Sequence, residues 1–250
     1  MKILNNYVIC FLLITLMLSC HKDDSNSVGD LNLRFKLVYG DEPMEMFKEY
    51  PYPGTGDKFM MTRLSFYISD ITVISKDGSF NLKDVDYLNL TAAHTAPVSP
   101  NGMEYKLQGI LARDFDALSF SIGVNKISNA LEPKDFKSGH ILSSAAEYWS
   151  AWKSYIFFRP EGQITFNTDP NEKQSFALHL GGDEALRSFI LSRPIKIIEN
   201  ASTDFDITID IKKFFSGTNT YDIRSTQQIH SLNQKPLITI LADNLATAVK

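Results

Sequence analysis

Apolar and polar residues alternate over long stretches of this chain, with the two-residue period of strands buried on one face. Leu31, Leu33, Phe35, Leu37 and Tyr39 alternate with Asn32, Arg34 and Lys36, which predicts a first strand over residues 31–39. Leu64, Phe66 and Ile68 continue the pattern, and Ile71 and Val73 resume it on the opposite parity. Such a slip calls for an irregular residue, so a β-bulge or short break is expected at Asp70. Strands are also read in Leu118, Phe120, Ile122 and Val124, in Phe176, Leu178 and Leu180, and in Phe205, Ile207, Ile209 and Ile211. Turn signals such as Pro53-Gly54, Asp77-Gly78, Pro100-Asn101-Gly102 and Gly181-Gly182 separate them. Short strands at this spacing predict an all-β fold, an antiparallel β-sandwich with a few short helices. One helix is expected over residues 183–192, stopping before Pro194, and a C-terminal one over 236–249, where Ile238, Leu241, Leu245 and Ala248 recur at helical spacing.

The N-terminus follows a different pattern. Lys2 precedes an apolar run from Tyr7 to Leu18 that stops at Ser19-Cys20. Roughly a dozen apolar residues are too few to span a bilayer, and a charged start with a short apolar core describes an export signal. The Met17-Leu18-Ser19-Cys20 ending resembles a bacterial lipobox, so residues 1–19 are read as a signal peptide and Cys20 as the lipidated residue that anchors the chain to a membrane. Residues 20–30 then form a polar tether, and residues 31–250 one domain with ample material for a core. Lys22-Asp23-Asp24 resembles the lysine-plus-acidic signal of Bacteroidetes lipoproteins, which implies the outer face of the outer membrane; the periplasmic face is the alternative.

Charge and cysteine usage narrow the chemistry. A net charge of −4, with Lys and Arg scattered among acids, gives no basic stripe, so nucleic acid is not expected as a partner. The two cysteines are Cys10, within the signal, and Cys20, which leaves the body without a thiol. Thiolate metal sites, disulfides and cysteine nucleophiles are thereby excluded from it. No Gly-x-Ser-x-Gly pattern occurs, and Gly54-Thr55-Gly56-Asp57 lacks the lysine and third glycine of a nucleotide loop. The chain is expected not to be an enzyme. Asp204, Asp206 and Asp210 share one face of a strand and could offer oxygens to Ca²⁺, although a solvated outer face explains them as well.

Beyond His21, the histidines are His94, His140, His179 and His230. With no thiolate available, imidazole is the leading ligand for copper or zinc. His179 lies on the opposite parity from Phe176, Leu178 and Leu180, and His230 precedes the C-terminal helix. Trp149 and Trp152, the only tryptophans, fall in an aromatic block at residues 147–158 and suit either core packing or a wall beside a bound ligand.

Several blocks occur in a recognisable order: Arg63-Leu64-Ser65-Phe66-Tyr67-Ile68-Ser69-Asp70-Ile71, then Phe120-Ser121-Ile122-Gly123-Val124-Asn125 with Asn129, residues 148–162, residues 176–181, and Ile240-Leu241-Ala242-Asp243-Asn244-Leu245. Together they resemble the copper-binding MbnP-like domain of methanobactin operons and Bacteroidetes lipoproteins. That resemblance implies a β-sandwich in the cell envelope and bound copper. It implies His179 and His230 as ligands, with Trp149 or Trp152 beside the metal or oxidised by a dihaem peroxidase-like partner. Glu147 stands where the family pattern carries methionine, and two residues instead of one separate the tryptophans. The competing expectation is a metal-free surface module recognising glycan or protein, which well-separated histidines would favour.

Overall fold

The computed structural model describes residues 27–250, so the expected signal peptide, Cys20 and residues 21–26 of the expected tether lie outside the described residues. The first strands are β1 (Val28–Tyr39), β2 (Glu42–Pro43), β3 (Glu49–Pro51), β4 (Lys58–Ser75), β5 (Gly78–Asn89) and β6 (Met103–Leu111). They are followed by β7 (Asp114–Phe115), β8 (Ala117–Ile122), helix α1 (Lys126–Asn129), β9 (Tyr148–Trp149), β10 (Ser154–Thr165), β11 (Lys173–Leu178) and β12 (Leu180–Gly181). The chain closes with β13 (Arg187–Leu191), β14 (Ile195–Lys196), β15 (Ser202–Asp210), α2 (Ile211–Ser216), β16 (Gln228–Ile229) and α3 (Lys235–Ala248). It is a mostly β protein with few short helices and a C-terminal helix.

The alternating residues do what their period demands. Leu31, Leu33, Phe35 and Leu37 of β1 are all buried, and β1 carries the small sheet, in which β15, β2 and β6 pair with it. A second sheet runs β13-β8-β4-β10-β11-β16. Phe35 joins the two sheets, its ring 5.6 Å from Phe66 of β4 and 6.3 Å from Phe120 of β8. Asp70 is the expected irregularity: its φ is 54°, and the β4–β8 register shifts between Ser69 and Thr72.

Two features depart from an antiparallel sandwich. β1 pairs with β15 in parallel, and β11 pairs with β16 in parallel. The large sheet also curls into a half-barrel instead of lying as a flat layer. Its cause is the long β4, whose first half pairs with β10 and whose second half pairs with β8, while β5 follows the other edge. A strand that changes neighbours at a bulge bends and twists the sheet built on it.

The helix expected over 183–192 is not formed. A single 3-10 turn at Asp183–Ala185 gives way to strand β13, which pairs with β8. Phe189 packs at 5.3 Å on its cross-strand partner Phe120, while Ile190 stays 65% exposed. The period is two, and the Leu186/Ile190 spacing was coincidental. Conversely, the apolar run ending at Ile211 leaves the sheet early, because the Asp210 carboxylate accepts the N–H groups of Lys212 and Lys213 and caps α2. Phe214 and Phe215 of α2 then plug the core, 5.3 Å from Phe158 and 5.0 Å from Phe59. α3 forms as expected, with Ile238, Leu241, Ala242, Leu245 and Ala248 buried. The remaining acids of β15 face cations: Arg34 reaches Asp204 at 2.9 Å and Asp206 at 2.6 Å, and Lys36 reaches Asp206 at 2.6 Å. Those ion pairs account for them without calcium.

Candidate metal centre

Parallel pairing at the sheet's end creates the site. Ala177 is in register with Gln228 and Leu178 with Ile229, so one further step along both strands brings His179 beside His230. The His179 N–H donates to the Ile229 carbonyl at 3.3 Å. Phe176 and Leu178 point into the core, and period two therefore turns His179 to the opposite face. The two imidazoles meet nearly edge to face, with ring centroids 4.7 Å apart and planes at 84°.

Both tryptophans wall this pair. β9 pairs with the start of β10, Trp149 opposite Ser154, and the tight turn between them places Lys153 at φ 51°. Trp149 sits 5.6 Å from His179 and 5.1 Å from His230, and stacks on Trp152 at 4.6 Å. Trp152 is buried, and its indole N–H donates to the His230 carbonyl at 3.1 Å. Gly181 makes room for it, since a Cβ there would lie 3.1 Å from the Trp152 ring and 2.8 Å from the Tyr155 carbonyl.

Hydrogen bonds settle which imidazole nitrogens are free. His179 Nε2 lies 2.8 Å from Oε1 of Glu161, an ionised carboxylate that can only accept, so Nε2 carries the proton. Nδ1 of His179 is then a bare lone pair, buried and without any hydrogen-bond partner. His230 Nε2 lies 2.7 Å from Oε1 of Gln228, whose amide nitrogen donates to the Ser175 carbonyl at 2.8 Å. That fixes the amide with its oxygen toward His230, so His230 is also protonated on Nε2. Two neutral imidazoles with available Nδ1 atoms result.

The charges around them balance. Glu161 is paired with Arg159 at 2.6 Å, Arg159 with Glu147 at 2.9 Å, and Glu147 with Arg63 at 2.7 Å. Glu161 loses water on burial, but its hydrogen bonds from Arg159 and His179 outweigh that and hold its carboxyl below the usual range. Burial pushes His179 down to about 4, with Arg159 and His230 adding to the shift and Glu161 opposing it. Burial also lowers His230. Both rings are therefore neutral at physiological pH, the form in which imidazole binds metal.

All four residues expected at the site, His179, His230, Trp149 and Trp152, come together. His94 and His140 do not join them: His94 is buried with its ring bonded to Leu90 and Leu37, and His140 stacks on Phe136. Glu161, Arg159 and Glu147 were not foreseen as site residues. Their one trace in the sequence, Arg159 and Glu161 on alternate positions directly after Phe157 and Phe158, is equally the pattern of a solvated strand face. Among the described residues, no group of three or more His, Cys, Asp or Glu is arranged to hold a metal ion. Two imidazoles bonded to one ion at about 2.0–2.1 Å keep their centroids within roughly 6.5 Å. The observed 4.7 Å satisfies that limit.

A curled, mostly β protein that presents two neutral imidazoles under a tryptophan stack is the class that fold and site define. The MbnP family model matches residues 28–233, and the chain belongs to that family. The match stops before α3, which the resemblance in sequence had included. Among solved structures, MbnP from Methylosinus trichosporium is similar at 12% identity and a TM-score of 0.49, over 78% of this chain and 79% of that one. No curated protein matches this chain.

Proposed function

We propose that this protein is a non-enzymatic copper-binding lipoprotein, anchored through Cys20 to the outer membrane and facing the cell surface, with His179 and His230 as ligands through Nδ1. One observation carries the reading: both histidines spend Nε2–H on an acceptor, leaving two unprotonated nitrogens on adjacent rings, one of them buried with no partner. A buried polar atom left unpaired costs stability unless something occupies it, and imidazole suits copper. The MbnP family's association with copper handling agrees with this. Trp149 lies 5.6 Å from His179 and 5.1 Å from His230, close enough for its ring to neighbour a bound cation. A dihaem peroxidase-like partner, implied by the family, would act on Trp149, the more exposed of the two. Well-separated histidines would favour the recognition-module reading, whereas these rings have centroids 4.7 Å apart.

Metal analysis of the purified protein, loaded with Cu(I) and separately with Cu(II), tests the reading. One copper per chain is expected in the wild type, and less than a tenth of that in His179→Ala. Wild-type protein without stoichiometric copper under either loading would exclude it. Labelling with a radioactive fatty acid, abolished in Cys20→Ala, tests the anchor, and protease accessibility on intact cells tests the surface location.

A further inference from the structure

A free neutral histidine favours one tautomer only modestly, and a histidine with the wrong tautomer presents N–H where a lone pair is needed. For His179 the deciding group is on β10. Glu161 Oε1 receives both His179 Nε2 at 2.8 Å and Arg159 Nε at 2.6 Å. Arg159 in turn donates from Nη1 to Oε2 of Glu147 at 2.9 Å, and Oε1 of Glu147 is held by Arg63 at 2.7 Å. Glu147 is buried and immediately precedes β9, so one chain of ion pairs runs from β4 through this residue and β10 to the histidine. The β4–β10 register shifts between Glu161 and Gly162, immediately after the residue that bonds His179. Partners of this kind, which orient a ligating histidine through its other nitrogen, affect affinity without touching the metal.

We propose that Glu161, fixed by the Arg63–Glu147–Arg159 chain, is the positioning residue that holds His179 as its Nε2–H tautomer and so reserves Nδ1 for a metal ion. Glu147, which departs from the family's methionine, is on this view the anchor of that chain and not a displaced ligand. The inference rests on the proposed copper reading for its purpose but not for its measurement. Nitrogen-15 NMR of the metal-free wild type at pH 7.5 should show His179 protonated on Nε2 and bare on Nδ1. Glu161→Gln keeps an accepting oxygen and should retain that tautomer, whereas Glu161→Ala should mix the tautomers and weaken copper binding by about 10- to 100-fold. A wild-type His179 protonated on Nδ1 would overturn the inference without any variant. So would a folded Glu161→Ala protein with unchanged tautomer and affinity. If the wild type binds no copper, the functional reading fails, and the metal-free spectrum still decides the tautomer.

Discussion

Trp149 lies flat on Trp152, with ring centroids 4.6 Å apart and planes 8° from parallel, and its plane stands 64° from that of His179 and 63° from that of His230. These are the only two tryptophans of the chain. Intrinsic tryptophan fluorescence therefore reports on the candidate centre and nowhere else. Copper added to the protein should quench it in proportion to occupancy, saturating at one equivalent, and His230→Ala should remove the saturable phase. Emission that is insensitive to copper while metal analysis finds the ion bound would place that ion away from the tryptophan pair.

Gly162 gives the site its backbone support. A Cβ at this position would lie 2.2 Å from the Met60 carbonyl and 2.6 Å from the Phe176 ring, so β4 and β11 both close on it. Gly162→Ala must push one of them away, and overpacking of this sort costs about 1–3 kcal/mol. Because the neighbouring residue is Glu161, the shift should also loosen the His179 hydrogen bond. Urea unfolding should show the loss of stability, and copper titration should show weaker binding in the same variant. A variant as stable as the wild type would mean that the strands part without cost.

Strands were legible in the sequence wherever one face is buried, as in β1, because period two leaves a direct trace in the chain. Asp70 was legible for the same reason, as an interruption of that period. The parallel pairings were not, since β1 and β15 are separated by most of the chain and no local pattern encodes which strands meet. β13 was misread because Leu186 and Ile190 fit a helix by chance, and only the Phe120 ring waiting opposite Phe189 reveals the strand. For the site, imidazole and indole were legible from their scarcity. Arg63, Glu147, Arg159 and Glu161 were not, because charged residues on alternate strand positions ordinarily mean a solvated face; here residues 126–153 include the segment carrying Glu147 that covers it.

His94 makes stability depend on pH at a point outside the metal centre. Its ring is fully buried, with Nδ1–H donating to the Leu90 carbonyl at 2.8 Å and Nε2 accepting the Leu37 N–H at 3.1 Å. Burial lowers its pKa, so the folded state keeps it neutral. An unfolded histidine takes up a proton below about 6.5. As pH falls through that value the unfolded chain binds more protons than the folded one, and stability drops. His179, held at about 4, contributes in the same sense between roughly 6.5 and that value. Urea midpoints of the metal-free protein should fall from pH 8 to pH 5, and His94→Ala, less stable by about 1–3 kcal/mol, should fall less steeply. Parallel slopes for the two proteins would show that His94 does not supply the dependence.

Asp57 should govern a lower pH range. Its side chain is fully buried and accepts Arg224 through both oxygens at 2.7 Å each, Thr55 Oγ1 at 2.8 Å and the Asn167 N–H at 2.9 Å. These bonds tie the turn after Tyr52 to the segments at Asn167 and Arg224. The Arg224 guanidinium is the main cause that lowers the carboxyl from 3.8 to about 2, with the Asn167 and Thr55 hydrogen bonds assisting against burial. A depressed carboxyl stabilises the fold above its unfolded value, and that stabilisation disappears as pH falls from 3.8 toward 2. Asp57→Asn keeps the shape but cannot accept the bidentate pair, so it should be clearly less stable than the wild type at pH 7. Near pH 2, where the wild-type carboxyl is itself becoming protonated, the two proteins should unfold at nearly the same urea concentration. A gap that stays constant from neutral to acid pH would assign the effect to packing at residue 57 and not to its charge.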